Sequence, residues 1–268
     1  MHGAGNDFVI LDLRDGSPLP DAAITRAIGN RHTGVGFDQL LTIEISDNPD
    51  CVARYRILNS DGSPAQQCGN GARCVAAWIK RAGMTTASKF LLDSPAGVIT
   101  VACLENEQYS LLMSVPDLVP ATIPFITTRA APLHRISIGH DNIEFVPVSM
   151  GNPHAVIQVN DIDNAPVERI GKAFQARPEF PESVNVGFAQ ILSPTHIKLR
   201  VYERGAGETL ACGSGACAAV AALITLGKVE SHVQVSLPGG DLQIEWTDKT
   251  APIRMTGPAA FVFEGEWL

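Results

Sequence analysis

The chain has 268 residues, 45% of them hydrophobic and 18% charged, with a formal net charge of −8. That length holds two domains of ordinary size, each able to bury its own core, and the acidic balance without a basic cluster argues against a nucleic-acid partner. The longest apolar stretch, Ala216 to Leu226, is about half a membrane span, and Asp7, Asp12, Arg14 and Asp15 break the first apolar run, against a secretory signal.

In chain order, runs rich in Val, Ile, Leu and Phe predict strands around 7–13, 38–45, 51–58, 97–103 and 108–115. Pro20-Asp21 opens a short amphipathic helix that ends near Gly29-Asn30. An Ala-rich helix over 72–82 begins just after Cys68 and is stopped by Gly83. The Pro-rich stretch Val115–Pro132 reads as a linker. Beyond it, strands are predicted around 142–148, 154–159, 184–193, 196–203, 232–237, 241–246 and 252–263, with a short helix from Pro166 to about Gln175. A last helix over 216–226 follows Cys212 and stops at Gly227. It is apolar nearly all round (Ala218, Ala219, Val220, Ala221, Ala222, Leu223, Ile224), which suits burial inside sheet.

The two halves repeat one another. Tyr55–Asn59 and Gln67-Cys68-Gly69-Asn70-Gly71-Ala72 return 144 residues later as Leu199–Glu203 and Ala211-Cys212-Gly213-Ser214-Gly215-Ala216. Gly5-Asn6 is echoed by Gly151-Asn152, Ser94-Pro95-Ala96-Gly97 by Leu237-Pro238-Gly239-Gly240, and Val35-Gly36-Phe37-Asp38-Gln39 by Val186-Gly187-Phe188-Ala189-Gln190. A period near half the chain means two homologous domains rather than a solenoid. The expected fold is α/β (α+β): two pseudo-twofold domains, each a curved, mostly antiparallel sheet around a central helix. The N-terminal domain spans 1–113 and carries Cys68; the C-terminal domain spans 114–257 and carries Cys212; a terminal strand over 258–268 completes the first.

Each Cys-Gly-x-Gly-Ala places a cysteine where a helix begins. Backbone N–H groups at such a terminus lack intrahelical partners and the helix dipole adds positive charge. Either a substrate carboxylate or the thiolate itself is stabilised there, so the thiol is expected near neutrality. The glycines leave room for a ligand to reach the backbone donors. Two thiols from a duplicated frame suit a reaction in which a proton leaves one face of a carbon and returns to the other. A metal is not expected, because Cys68-x5-Cys74 and Cys212-x4-Cys217 lack compact ligand spacing. Cys51, Cys74, Cys103 and Cys217 read as core fillers, and the cysteine usage favours a reducing, cytoplasmic compartment.

Met1-His2-Gly3-Ala4-Gly5-Asn6-Asp7-Phe8, Gly36-Phe37-Asp38-Gln39-Leu40, Asn59-Ser60-Asp61-Gly62, Gln67–Cys74, Met150-Gly151-Asn152-Pro153-His154, Val184–Phe188 and Glu203-Arg204-Gly205-Ala206-Gly207-Glu208-Thr209 together resemble the diaminopimelate epimerase family over essentially the whole chain. Family members carry several residues, forming a first strand, before the Met-His-Gly with which this sequence starts. The resemblance implies a cofactor-free (no PLP, no metal), homodimeric epimerase that interconverts LL- and meso-2,6-diaminoheptanedioate, toward lysine and peptidoglycan. It implies Cys68 and Cys212 as the acid/base pair. Substrate contacts fall on Asn6, Gln39, Asn59, Gly69, Asn70, Asn152, Asn185, Glu203, Arg204, Gly213 and Ser214, and His154 and Glu203 match positions that tune the thiols.

Departures from the internal repeat agree with that assignment. Asn59 is paired with Glu203, Ser60 with Arg204, Gly34 with Asn185, and Phe8 falls opposite His154. Recognising the far end of a diamino diacid needs groups on one side only, and amides and a guanidinium supply them. By residue type alone, Asn59 and Asn152 also fit turns, Arg204 a surface charge, Gln39 a backbone contact and His154 a satisfied buried polar group. A racemase for another amino acid, a silent binding protein and a thiol–disulfide switch are the competing functions; cofactor-independent hydrogen exchange at the α-carbon separates the enzymes from the other two.

Overall fold

Two cysteine-headed helices organise the chain, one in each of two units. The computed structural model describes residues 1–129 and 131–267; Ala130 of the predicted linker and Leu268 at the end of the predicted terminal strand lie outside the described residues. One unit is Met1–Leu112 with Thr256–Leu268, the other Met113–Met255.

The first unit contains β1 (His2–Gly3), β2 (Asn6–Asp12), α1 (Ala22–Gly29), β3 (Gln39–Ile43), β4 (Cys51–Arg54), β5 (Ile57–Asn59), β6 (Pro64–Ala65), α2 (Gly69–Arg81), β7 (Lys89–Ser94), β8 (Gly97–Cys103) and β9 (Gln108–Leu112). One sheet runs β1-β2-β3-β5-β6, antiparallel except for β2 beside β3. A second set joins β4 in parallel to β7, then β8 and β9 antiparallel. α2 packs against β1, β2 and β3 and also against β8 and β9, so its buried face has sheet on more than one side. The single strand expected over 51–58 is two. At Tyr55 the N–H leaves for Asp93 O (3.0 Å) and at Arg56 for Thr42 Oγ1 (3.1 Å), and the chain changes sheets there. β7 was not anticipated; its Lys89-Phe90-Leu91-Leu92-Asp93-Ser94 alternates buried with less buried residues.

The second unit contains β10 (His134–Ile138), β11 (Asp141–Ser149), β12 (Pro153–Gln158), α3 (Val167–Gln175), β13 (Asn185–Ser193), β14 (His196–Glu203), β15 (Gly207–Thr209), α4 (Gly213–Thr225), β16 (His232–Leu237) and β17 (Gly240–Glu245). β10 to β14 are neighbours in order, followed by β16 and β17; β12/β13 and β14/β16 are parallel, and β15 pairs with β14. α4 packs against β11, β12, β13, β14 and β17. Ala216 through Leu223 are all buried on it, as its all-round apolar sequence requires. Burying Val220 and Leu223 contributes on the order of 1.5–3 kcal/mol each. The predicted linker is not a free tether: Ile123 and Phe125 are buried in the second unit's core, with Phe125 stacked on Phe180 at 4.9 Å. β18 (Arg254–Pro258) then crosses from one unit's residues to the other's. It stops well short of the expected 252–263, and past it His2 and Ala260 exchange both backbone hydrogen bonds, at 3.0 and 2.8 Å.

Strand register sets the equivalences between the halves. Phe8 pairs with Gln39 and Gln39 with Asn59; His154 pairs with Asn185, and Val186 with Tyr202, which brings Asn185 level with Glu203. Phe8 therefore corresponds to His154, Gln39 to Asn185, and Asn59 to Glu203. The expected pairing of Gly34 with Asn185 is wrong by five positions. Val35-Gly36-Phe37 lies in the loop before β3, whereas Val186-Gly187-Phe188 lies inside β13, so those shared letters have unlike environments.

Candidate active site

Both helices end alike. In α2 the N–H groups of Gly83 and Met84 return to Lys80 O and Ile79 O; in α4 those of Gly227 and Lys228 return to Ile224 O and Leu223 O. The left-handed backbone of Gly83 (φ 68°) and Gly227 (φ 67°) permits this closure. They also begin alike, with Cys68 and Cys212 extended at the N-cap and their carbonyls accepting from Ala72 and Ala216, both at 2.9 Å. A Cβ on Gly71 would lie 3.2 Å from a Leu41 methyl, and one on Gly215 3.0 Å from a Val201 methyl and 3.2 Å from Cys212 Sγ. These two glycines thus admit close packing of the first helical turn on the strands of their own unit.

In the first unit, Cys68 Sγ accepts the Gly71 N–H at 3.4 Å and lies 3.7 Å from Asn6 Oδ1 as a donor. Asn6 Oδ1 also accepts from Asn70 Nδ2 at 3.3 Å, and Asn6 Nδ2 donates to Asp38 Oδ2 at 2.7 Å. On the paired row of β3 and β5, Gln39 Nε2 donates to Asn59 Oδ1 (3.0 Å) and Asn59 Nδ2 to Ser63 Oγ (3.0 Å). Gln39 Oε1 is buried without a hydrogen-bond partner among the described residues. Asn6, Gln39, Asn59, Cys68, Gly69 and Asn70 are thus all bonded within this unit or placed at the head of α2. Two cavities of the unit, about 400 and 420 Å³, share Leu19 and Arg56 in their linings and involve none of the expected site residues.

In the second unit, Cys212 is buried and its thiol donates to Glu203 Oε2 at 3.1 Å. Thr209 Oγ1 donates to the other carboxylate oxygen, and Ser214 Oγ lies 3.6 Å from the sulfur. Burial, then the Glu203 charge, raise the Cys212 thiol well above its ordinary value, against the Ser214 hydroxyl and the Gly215 N–H. The expectation that a helix terminus brings this thiol near neutrality is overturned. The partial charge of a helix end does not offset desolvation plus an adjacent carboxylate.

His154 is fully buried with Nε2 3.0 Å from Asn152 Oδ1. Burial, assisted by the Arg204 charge, pushes it down to about 3, so it is neutral at ordinary pH. Asn185 spends both ends of its amide on backbone, donating to Pro153 O (3.1 Å) and accepting from Arg204 N (2.9 Å). Arg204 is exposed; its guanidinium donates to Glu182 O at 2.8 Å and forms no ion pair among the described residues. Asp38 and Thr209 were not singled out from sequence, yet each bonds a proposed site residue. The only signals were their positions, beside Gln39 and six residues after Glu203.

The fold is shared with solved structures of low sequence identity. A phenazine biosynthesis protein of the PhzF family from Bacillus anthracis superposes with a TM-score of 0.71 at 18% identity, covering 100% of this chain and 95% of that one. A hydroxyproline epimerase from Agrobacterium vitis, solved with bound trans-4-hydroxy-L-proline, gives 0.66 at 16% identity over 96% and 87%. Sequence narrows the class. Residues 1–119 and 146–262 match the family described as diaminopimelate epimerase, and diaminopimelate epimerases of Xanthomonas axonopodis pv. citri and Xylella fastidiosa are 54% and 52% identical over 100% of this chain and 94% of each relative. The chain belongs to the diaminopimelate epimerase family and is an isomerase, an amino-acid epimerase.

Proposed function

We propose that Cys68 and Cys212 are the acid–base pair of the interconversion of LL- and meso-diaminopimelate. The observation that carries this is one cysteine at the N-cap of a buried helix in each half of a duplicated frame. In one direction a thiolate takes the α-proton, and the other thiol gives its proton to the opposite face of the same carbon. The sulfurs leave with their protonation states exchanged, and the step balances with the two side chains alone. Glu203, held by Thr209, receives the Cys212 S–H and so favours the acid form of that residue. His154 stays neutral and fixes the Asn152 amide. Backbone N–H groups at Gly69, Asn70, Gly213 and Ser214 are donors for the reacting carboxylate, whose developing charge needs fixed donors. Arg204, with Asn6, Gln39, Asn59, Asn152 and Asn185, recognises the remainder of the substrate; an exposed guanidinium without an ion pair among the described residues supports that role.

The finer parts of the reading are a cytoplasmic homodimer without a nucleic-acid partner, supported by the cysteine usage, the net charge of −8 and the family resemblance. Sedimentation velocity should show a species of twice the 28.5 kDa chain mass. For the chemistry, diaminopimelate in D2O should acquire deuterium at its α-carbon with enzyme alone. Cys68→Ala and Cys212→Ala should each lose at least about a thousandfold in epimerisation while remaining folded. Normal turnover by either variant rejects the two-thiol scheme.

A further inference from the structure

In the first unit two amides are joined end to end between charged side chains. Arg73 Nη2 donates to Asn70 Oδ1 at 2.9 Å, Asn70 Nδ2 to Asn6 Oδ1 at 3.3 Å, and Asn6 Nδ2 to Asp38 Oδ2 at 2.7 Å. A guanidinium only donates and a carboxylate only accepts. The two ends therefore fix the direction of the whole chain of bonds. Asn70 must turn its oxygen to Arg73 and its NH2 to Asn6; Asn6 must turn its NH2 to Asp38, which leaves its oxygen 3.7 Å from Cys68 Sγ.

Both anchors are themselves held. Arg73 is fully buried on α2 and also donates Nε to Pro258 O at 3.2 Å. Asp38 takes an ion pair from Arg31 at 2.7 Å and accepts the Asp7 N–H at 3.2 Å. Among the described residues the second half shows no such relay: register sets Val184 at the place of Asp38, and the 144-residue offset sets Cys217 at the place of Arg73. The feature belongs to the unit that lacks a carboxylate at the Glu203 position, where Asn59 stands instead.

We propose that Asp38 and Arg73 are positioning residues that lock the Asn6 amide with its carbonyl oxygen toward the Cys68 sulfur. An oxygen there accepts from S–H and repels S⁻, so the lock favours the thiol; released, the amide can rotate and offer N–H to the thiolate. This inference rests on Cys68 being a catalytic thiol. Tyr55 and Cys74 are titratable groups coupled electrostatically to Cys68. Burial raises Tyr55 well above its ordinary range and Cys74 to about 12, so both stay neutral across a thiol titration. Arg73 and Asp38, with Arg31 and Asp7 behind Asp38, are the charged groups of the relay.

The test is the rate of iodoacetamide alkylation of Cys68 against pH, read by mass spectrometry on its own peptide in the full chain. Asp38→Asn should lower the titration midpoint by about one pH unit, up to about tenfold faster alkylation below the midpoint. Asp38→Glu, which keeps the acceptor, should leave it near the wild-type position. In an Asn6→Ala background the Asp38→Asn shift should vanish, because Asp38 acts through Asn6. An unchanged midpoint in Asp38→Asn, or the same shift with Asn6 replaced by Ala, overturns the proposal. Failure of the catalytic reading shows separately, as turnover retained by Cys68→Ala, since alkylation reads the sulfur without turnover.

Discussion

The two halves put the same residue in the same backbone setting and surround it with different chemistry. Cys68 accepts a backbone N–H and faces an amide oxygen, with a guanidinium two bonds further back. Cys212 is buried and donates to a carboxylate. Backbone geometry is set by what a helix start and its packed glycine permit, and duplication preserved it. Protonation is set by side chains around the sulfur, and there the copies have diverged. Two thiols of unlike surroundings differ in how readily each holds its proton.

The sharpest way to break this comparison is at Glu203. Glu203→Gln should lower kcat by about a hundredfold or more, and should also speed alkylation of Cys212, because the carboxylate charge is one cause of its raised value. Slower alkylation in that variant would mean that Glu203 does not hold the thiol protonated. A smaller effect is expected where the backbones are alike. Gly215→Ala places a methyl 3.0 Å from Val201 and 3.2 Å from the Cys212 sulfur, and should cost about 1–3 kcal/mol in urea unfolding. Gly71→Ala meets only flexible side chains at 3.2 Å or more, and a helix-propensity gain of about 1 kcal/mol should offset most of that strain. Equal losses at both sites would contradict the packing difference.

His154 gives a pH-dependent contrast with its counterpart Phe8. The folded protein keeps His154 neutral down to about pH 3, whereas its unperturbed value is 6.5. Between those values the unfolded chain binds the additional proton, so stability falls as pH drops through the window. His154→Phe should therefore narrow the stability difference between pH 7 and pH 5 by about 2 kcal/mol; an unchanged difference removes His154 as its source. The smallest effect concerns the outer helices. Asp21 caps α1 by accepting from Ala23 and Ile24, both at 2.8 Å, while Pro166 before α3 makes no side-chain capping bond. Asp21→Ala should cost about 1 kcal/mol, measured as a shift of the unfolding midpoint, and Pro166→Ala less.

Much of this was legible before any coordinates. The helices after Cys68 and Cys212 announced themselves through Ala content and closing glycines, and the strands on either side of Pro238-Gly239 through their apolar runs. Register was not legible. Val35-Gly36-Phe37 and Val186-Gly187-Phe188 share letters, but only cross-strand pairing shows that one triplet is loop and the other strand. The break at Tyr55-Arg56 was hidden for a related reason: a chain that changes sheets keeps its apolar pattern while its hydrogen-bond partners change. The state of Cys212 was hidden because burial and the Glu203 contact are tertiary facts, and the sequence displayed only the helix start that pulls the other way.

The backbone exchange between His2 and Ala260 joins residues from opposite ends of the polypeptide within one unit. On the ribosome, that unit begins to emerge before Met113–Met255 and receives Thr256–Leu268 only after it. Met113–Met255 is one uninterrupted segment and can close as soon as it has left the exit tunnel. Maturation of the Cys68 half is thereby tied to translation of the codons that follow Met255, and a chain released before them carries a closed Cys212 half beside an unfinished Cys68 half.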